Sequence, residues 1–145
     1  MLAGIMVDTN NFSGRTGVRT FEAAAWLKRT GADTTEVKRF FQAGKDDFQA
    51  KAKAIANAEF FDNGITFARP RVDSSNATII NAQVADELLM VKGVTASFVL
   101  GTNEKGQTII SARSLGQVNV QTLMEKFGGG GHFTSAAAQV NESYE

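Results

Sequence analysis

The chain has 145 residues, of which 43% are hydrophobic and 21% are charged, a composition typical of one ordinary globular domain or a small domain with an appendage. Fifteen basic residues balance fifteen acidic ones, so no overall charge attracts nucleic acid or an anionic membrane, and an anion site has to be built locally. The absence of cysteine excludes disulfides, thiolate metal ligands and a cysteine nucleophile.

Four elements are predicted in the first 44 residues from hydrophobic periodicity and capping signals. They are, in chain order, a buried strand over 2–7, a polar loop over 10–19, a helix from Thr20 to about Arg29 with Gly31 behind it, and a helix from Asp33 to Gly44. A lone strand cannot cover both of its faces. We therefore interpret residues 1–30 as the end of another domain and residues 31–44 as a linker helix, and we expect both chain ends to lie inside a longer protein.

Residues 45–145 predict a second domain, in which helices alternate with hairpins. Its predicted elements are a helix over 46–58, a hairpin of 59–61 with 65–67, a helix from Ser74 or Ser75 to about Val91, a hairpin of 94–100 with 107–112, and a helix over 118–127. Residues 136–140 suit a helix or a strand equally. This order predicts an α/β fold of the α+β kind: a small mixed-sheet domain with hairpins and packed helices, preceded by a strand–helix remnant of a parallel α/β domain.

Asp8 is the first candidate for chemistry, because it follows the predicted opening strand and ligands of α/β sheets gather at the carboxyl ends of strands. Its carboxylate is a natural ligand for Mg²⁺ or Mn²⁺, which prefer oxygen. The alternative is an aspartate that caps the next turn. One carboxylate does not make a metal site, and the chain's single histidine lies far away in the sequence.

Arg15 and Arg19 form a second candidate, since they stand in or next to the loop that precedes a predicted helix. The N-terminal end of a helix favours anions, so two arginines there are placed to bind one. The alternative reading is a pair of solvated loop charges.

A run of glycines is the most unusual feature of the sequence: Gly128, Gly129, Gly130 and Gly131, followed by His132. No Lys-Ser/Thr follows, so the run is not a phosphate loop of the Walker A kind. One glycine suffices to end a helix, and four lose much backbone entropy on folding. The surplus indicates that something approaches the backbone closely, and free N–H groups there predict an anion-binding nest with His132 beside it. The alternative is a flexible connector.

Arg113 and Ser114 stand at the end of the second predicted hairpin. A guanidinium can hold phosphate oxygens with a forked pair of hydrogen bonds, and the serine hydroxyl can add another. The alternative is an ordinary surface arginine at a strand end. The helix predicted over 118–127 connects this pair to the glycines and is able to return the chain towards it.

These motifs resemble one family in the same order along the chain. Residues 3–12 look like the last motif of the DHH phosphoesterase domain, whose aspartate, here Asp8, binds the catalytic metal, and residues 15–24 continue the match. Residues 111–114 and 128–132 look like the two signatures of the DHH-associated C-terminal domain. The resemblance is strongest to the membrane-anchored bacterial cyclic-di-AMP phosphodiesterases of the GdpP type.

The resemblance implies that the complete protein hydrolyses cyclic di-AMP to the linear dinucleotide pApA with Mn²⁺, with Mg²⁺ as the alternative ion. It makes residues 1–30 the end of the DHH domain and residues 45–145 the domain that grips the substrate through Arg113, Ser114 and the segment 128–132. It also implies a membrane anchor elsewhere in the complete protein, with this chain on the cytoplasmic side and without direct membrane contact. A homodimer formed through the complete protein is compatible with it.

The departures from the family limit what this chain does alone. The Asp-His-His motif and the earlier metal motifs are absent, and only Asp8 remains of that constellation. We therefore expect no catalytic residue within this chain and no activity from it in isolation. The alternatives are part of a soluble oligoribonuclease or pAp-phosphatase-like DHH enzyme, and a non-catalytic module that binds nucleotides or nucleic acid.

Overall fold

A computed structural model describes residues 1–72 and 75–142, and the chain divides into two compact units, Met1–Ala43 and Gly44–Glu145. None of the helices within the described residues is long and apolar enough to cross a bilayer. The predicted α/β fold class is confirmed, because six helices accompany one six-stranded mixed sheet in the described part of the chain.

The first unit consists of three helices, α1 (Leu2–Asp8), α2 (Val18–Arg29) and α3 (Thr34–Phe40). The predicted opening strand is therefore wrong. Residues 1–43 are all described and contain no strand to pair with it, so its backbone N–H groups bond locally, as Thr9 N does to Ile5 O at 3.0 Å. A short apolar run does not by itself distinguish a strand from a helix, and here the local hydrogen bonds decide.

The ends of α2 and α3 agree largely with their capping signals. Gly17, not Thr20, is the N-cap of α2, while the Thr20 hydroxyl accepts the Gly17 N–H at 3.3 Å. Gly31 follows the C-cap with a φ of 109°, as predicted. Asp33 is the N-cap of α3, and its carboxylate accepts the Thr35 N–H at 2.8 Å.

The second unit is built on one sheet with the strand order β1-β2-β3-β4-β6-β5. The strands are β1 (Glu59–Phe60), β2 (Ile65–Ala68), β3 (Ala96–Thr102), β4 (Thr108–Ser114), β5 (Gly130–Gly131) and β6 (Ser135–Val140). The helices are α4 (Lys45–Ala56), α5 (Ala77–Leu88) and α6 (Val120–Glu125). Only β2 and β3 pair in parallel, and the other four pairings are antiparallel.

Two hydrophobic clusters hold the helices to the sheet. One joins α4 and α5 to strands β2 and β3 through Ala54, Val84 and Val99. The other joins α6 to β3, β4 and β6 through Val120, Met124 and small residues of the strands. Since α5 packs on β3 and β4 while α6 packs on β4, β5 and β6, strand β4 lies at the centre of the second unit.

Both predicted hairpins are confirmed with shifted ends, and residues 135–140 form a strand. Of the two serines predicted to cap α5, Ser74 lies outside the described residues, and the N-cap is Asn76. The spacing of Phe48, Ala52, Ile55 and Ala56 in the sequence predicts the apolar face of α4. This prediction is wrong at Phe48, which is 59% exposed, whereas Ala54 is buried.

Candidate functional site

The pairing of β4 with β6 brings the two sequence motifs together. Arg113 lies opposite Ser135 in the register of this antiparallel pair, where Cα atoms are typically about 4.5–5.5 Å apart. Ser135 is itself bonded to His132: the His132 N–H donates to the Ser135 oxygen at 2.7 Å, and the Ser135 N–H donates back at 3.3 Å. The Ser114 N–H donates to Thr134 O at 2.9 Å. The segment 132–135 therefore lies directly beside the end of β4.

Arg113 is held in place by the protein itself. Its Nε donates to Asp86 Oδ1 at 2.9 Å, its Nη1 donates to Ala112 O at 3.0 Å, and its side chain is only 17% exposed. These two bonds leave three of the five guanidinium N–H groups without a partner among the described residues. Arg113 is thus oriented on one edge and able to donate from the other.

Asp86 is the residue of this site that the sequence did not indicate. It lies on α5, 27 positions before Arg113, so only the packing of α5 on β4 brings the two together. The one local signal is that Asp86 and Glu87 are the only charged residues of an otherwise apolar and polar-neutral helix. The Arg113 side chain is 17% exposed and that of Asp86 is 40% exposed, so the pair is partly buried, and its bond to Nε fixes the orientation of the guanidinium.

Ser114 is buried, and its hydroxyl oxygen accepts the N–H groups of Gly116 at 3.0 Å and Val118 at 3.3 Å. This arrangement shapes the turn between β4 and α6, which is a structural role that the sequence did not predict. Contact of Ser114 with a ligand stays a prediction.

Most of the glycine run has a structural role. The prediction of a nest of free N–H groups is wrong for Gly128 and Gly129, whose N–H groups are bonded within the fold. Gly128 N–H donates to Glu125 O at 3.0 Å and Gly129 N–H to Met124 O at 2.9 Å, so both satisfy carbonyls at the end of α6. A Cβ on Gly129 would overlap the carbonyl oxygen of Ala137, and one on Gly131 would lie 2.5 Å from Ala136 Cα. The close approach predicted for this backbone is therefore made by β6.

Gly130 differs from its neighbours. A Cβ built on it meets nothing within 4 Å, and its φ lies outside the left-handed range adopted by Gly128 and Gly131. The fold does not require glycine at this position, so the open space there is available to a ligand. The side chain of His132, two residues further along the chain, is exposed and makes no hydrogen bond with any described residue.

Asp8 and the two loop arginines lie in the other compact unit. Asp8 is the exposed last residue of α1, not the end of a strand, and no group of three or more His, Asp or Glu residues in the described part of the chain is placed to hold a metal ion. Arg15 has a left-handed φ of 49°, Arg19 lies in the first turn of α2, and both are exposed. Their roles as metal ligand and anion-binding residues stay predictions.

Comparisons with known proteins agree with the motifs. The family model for the DHHA1 domain matches residues 62–145. The chain is 44% identical over 142 residues to the cyclic-di-AMP phosphodiesterase PdeA of Listeria monocytogenes and 46% identical over 142 residues to the cyclic-di-AMP phosphodiesterase GdpP of Geobacillus thermodenitrificans. Each match covers 98% of this chain and 22% of the relative, so the chain spans about a fifth of the length of these proteins.

A solved structure supports the fold alone. The exopolyphosphatase-related protein of Bacteroides fragilis superposes with a TM-score of 0.79 at 17% identity, over 96% of this chain and 43% of the other.

The division of roles among the glycines is testable with a matched pair of substitutions. We expect Gly129→Ala to lower the free energy of unfolding by about 1–3 kcal/mol, because its Cβ meets the backbone of β6 and forces the strands apart. Gly130→Ala should change it by less than about 0.5 kcal/mol. Urea denaturation of both variants measures this, and equal losses would contradict the assignment of Gly130 as the free glycine.

Proposed function

This chain belongs to the DHHA1 domain family, and we propose from that premise that it is the substrate-binding part of a DHH-family phosphodiesterase that hydrolyses cyclic di-AMP to pApA. The observation that carries the proposal is the position of Arg113 opposite Ser135 in the pairing of β4 with β6, which places the segment 132–135 beside it. Gly130, the glycine of the run that the fold leaves free, pairs with Ala137 on the other edge of β6. The relatives named cyclic-di-AMP phosphodiesterases, matched over nearly the whole chain, support the choice of substrate.

In this proposal the site binds a phosphate through directed hydrogen bonds more than through net charge. Asp86 neutralises much of the charge of Arg113, so the attraction at long range is small, while the three remaining N–H groups have no partner among the described residues. The open face of Gly130 lets a nucleotide approach the backbone, and the exposed His132 adds a donor or acceptor at the same end of β6. An oriented arginine loses less side-chain entropy on binding than a free one does.

The metal chemistry of the proposed reaction cannot be supplied by these residues alone. A two-metal site needs several oxygen or imidazole ligands, and the described residues hold no group of three or more His, Asp or Glu placed to bind a metal ion. We propose that the complete protein binds Mn²⁺, or Mg²⁺, with Asp8 as one ligand among others from outside this chain. The resemblance further leads us to propose a membrane anchor in the complete protein, with this chain on the cytoplasmic side.

We expect this chain alone to show no turnover of cyclic di-AMP with Mn²⁺ or Mg²⁺, because it lacks most of the ligands that such a centre needs. In the complete enzyme, Asp8→Ala should remove most of the activity at limiting Mn²⁺ and leave the protein folded. Hydrolysis is followed by chromatography of pApA. Robust metal-dependent turnover by the chain, or normal turnover by the Asp8→Ala enzyme, would refute this part of the proposal.

Arg113→Ala should weaken the binding of pApA to this chain by about 1.5–3 kcal/mol, the range for hydrogen bonds to a charged group. This corresponds to a dissociation constant roughly ten- to a hundred-fold higher, which calorimetry can measure. Arg113→Lys should recover only part of the loss, since an ammonium cannot reproduce the fork.

Two substitutions of Asp86 provide the control. Asp86→Asn keeps an acceptor for Nε and removes the competing charge, so affinity for pApA should be retained or raised. Asp86→Ala should bind about 0.5–1.5 kcal/mol more weakly than Asp86→Asn, because the arginine is no longer oriented. If the Arg113→Ala variant binds pApA as tightly as the unmodified chain, Arg113 does not bind the phosphate and the proposed site is wrong.

A further inference from the structure

A cavity of about 300 Å³ lies between α4 and the hairpin of β1 and β2. It is separated from Arg113 by strand β3, because the sheet order places β3 between β2 and β4. Neighbouring strands are about 4.8 Å apart, so the backbones of β2 and β4 are roughly 10 Å apart. None of the motifs singled out in the sequence contributes to this cavity.

Small residues create the space. Ala50 and Ala54 lie one helical turn apart on α4, and Ala68 lies at the end of β2; all three line the cavity. Ala54 and Ala68 are 7% and 4% exposed and belong to the core, so they form a firm apolar floor. Leucine or methionine at these positions of a core-facing helix would fill the gap.

The rim is strongly basic in a chain that is neutral overall. Lys53 from α4 and Arg69 and Arg71 from the segment after β2 line the cavity, and Glu59 is the one carboxylate among the described residues that line it. Lys53 and Arg71 have no ion-pair or hydrogen-bond partner for their side chains among the described residues. The carboxyl end of α4 adds about half a negative charge, which leaves the balance clearly positive.

We propose that this cavity binds a small phosphate monoester, with the phosphate among Lys53, Arg69 and Arg71 and the body of the molecule on the alanine floor. A dianionic phosphate matches the excess of positive charge, and arginine and lysine are the side chains that bind it. Asn57, which also lines the cavity, offers an amide donor and acceptor to the body of the ligand. The volume is at the lower end of the range for small-molecule sites.

The shape argues against the other classes of anion. A nucleic acid is usually bound along an extended basic face, whereas here the positive side chains converge on one small concavity. A sugar phosphate and a nucleoside monophosphate share the monoester chemistry, and the experiment separates them. The inference is independent of the proposed function, because it uses neither Arg113 nor the glycine segment.

The test is an NMR titration of the ¹⁵N-labelled chain at pH 7.5, where a phosphate monoester is mostly dianionic. The probes are AMP and glucose 6-phosphate, with adenosine and glucose as their phosphate-free counterparts. AMP, or both phosphates, should shift the amide resonances of α4, of β2 and of the residues after β2 as far as Arg71. Each phosphate-free counterpart should bind at least about tenfold more weakly. Binding of AMP alone would identify a nucleotide site, and binding of both a general monoester site.

The variant pair Lys53→Gln/Arg71→Gln should raise the dissociation constant at least about tenfold. The matched pair Lys105→Gln/Lys126→Gln removes the same charge elsewhere and should leave binding unchanged. All four side chains are exposed, so the melting temperatures should stay close to that of the unmodified chain. The proposal is overturned if neither phosphate shifts these amides at millimolar concentration, if the shifts appear only around Arg113 and His132, or if the first pair binds as well as the second.

Discussion

The antiparallel pairing of β4 with β6 is the constraint on which the proposed site depends. Between these two strands the chain runs through the turn after Ser114, helix α6 and the glycine run. The pairing then places Ser135 opposite Arg113. Small residues on both strands make this possible, because Ala112, Ala136 and Ala138 let α6 pack closely on the sheet. Arg113 would remain paired with Ser97 of β3 without this pairing, but nothing would hold the segment 132–135 beside it.

The same pairing explains the glycine run in physical terms. Gly129 and Gly131 are required because β6 passes too close for a side chain, and the N–H groups of Gly128 and Gly129 complete the end of α6. These glycines are needed for folding, so the sequence-based prediction that the whole run contacts a ligand was too broad. Gly130 alone carries no such demand, so it is the position at which folding and binding can be separated by mutation.

What could be predicted from the sequence was mostly local. The hairpin at Asn63-Gly64 and the N-cap at Asp33 rest on interactions between near neighbours, and both are present. Of the stripe predicted by the spacing of Ile80, Val84, Leu88 and Val91, the first three are buried on α5, whereas Val91 is 40% exposed and lies beyond the helix. The opening strand was wrong because an apolar run becomes a strand only when a partner strand is available. The contact between Asp86 and Arg113 and the close approach of β6 to the glycines could not be read either, because both arise from packing between distant segments. Family resemblance supplied the candidate residues, and the fold supplied their arrangement.

The most direct test of the account is a crystal structure of this chain with pApA bound. The account predicts a phosphate oxygen within about 3.2 Å of an Arg113 Nη atom while Asp86 still holds Nε, with the nucleotide lying over Gly130 and beside His132. A complex in which pApA lies away from the junction of β4 and β6, and Arg113 contacts only Asp86 and Ala112, would contradict it.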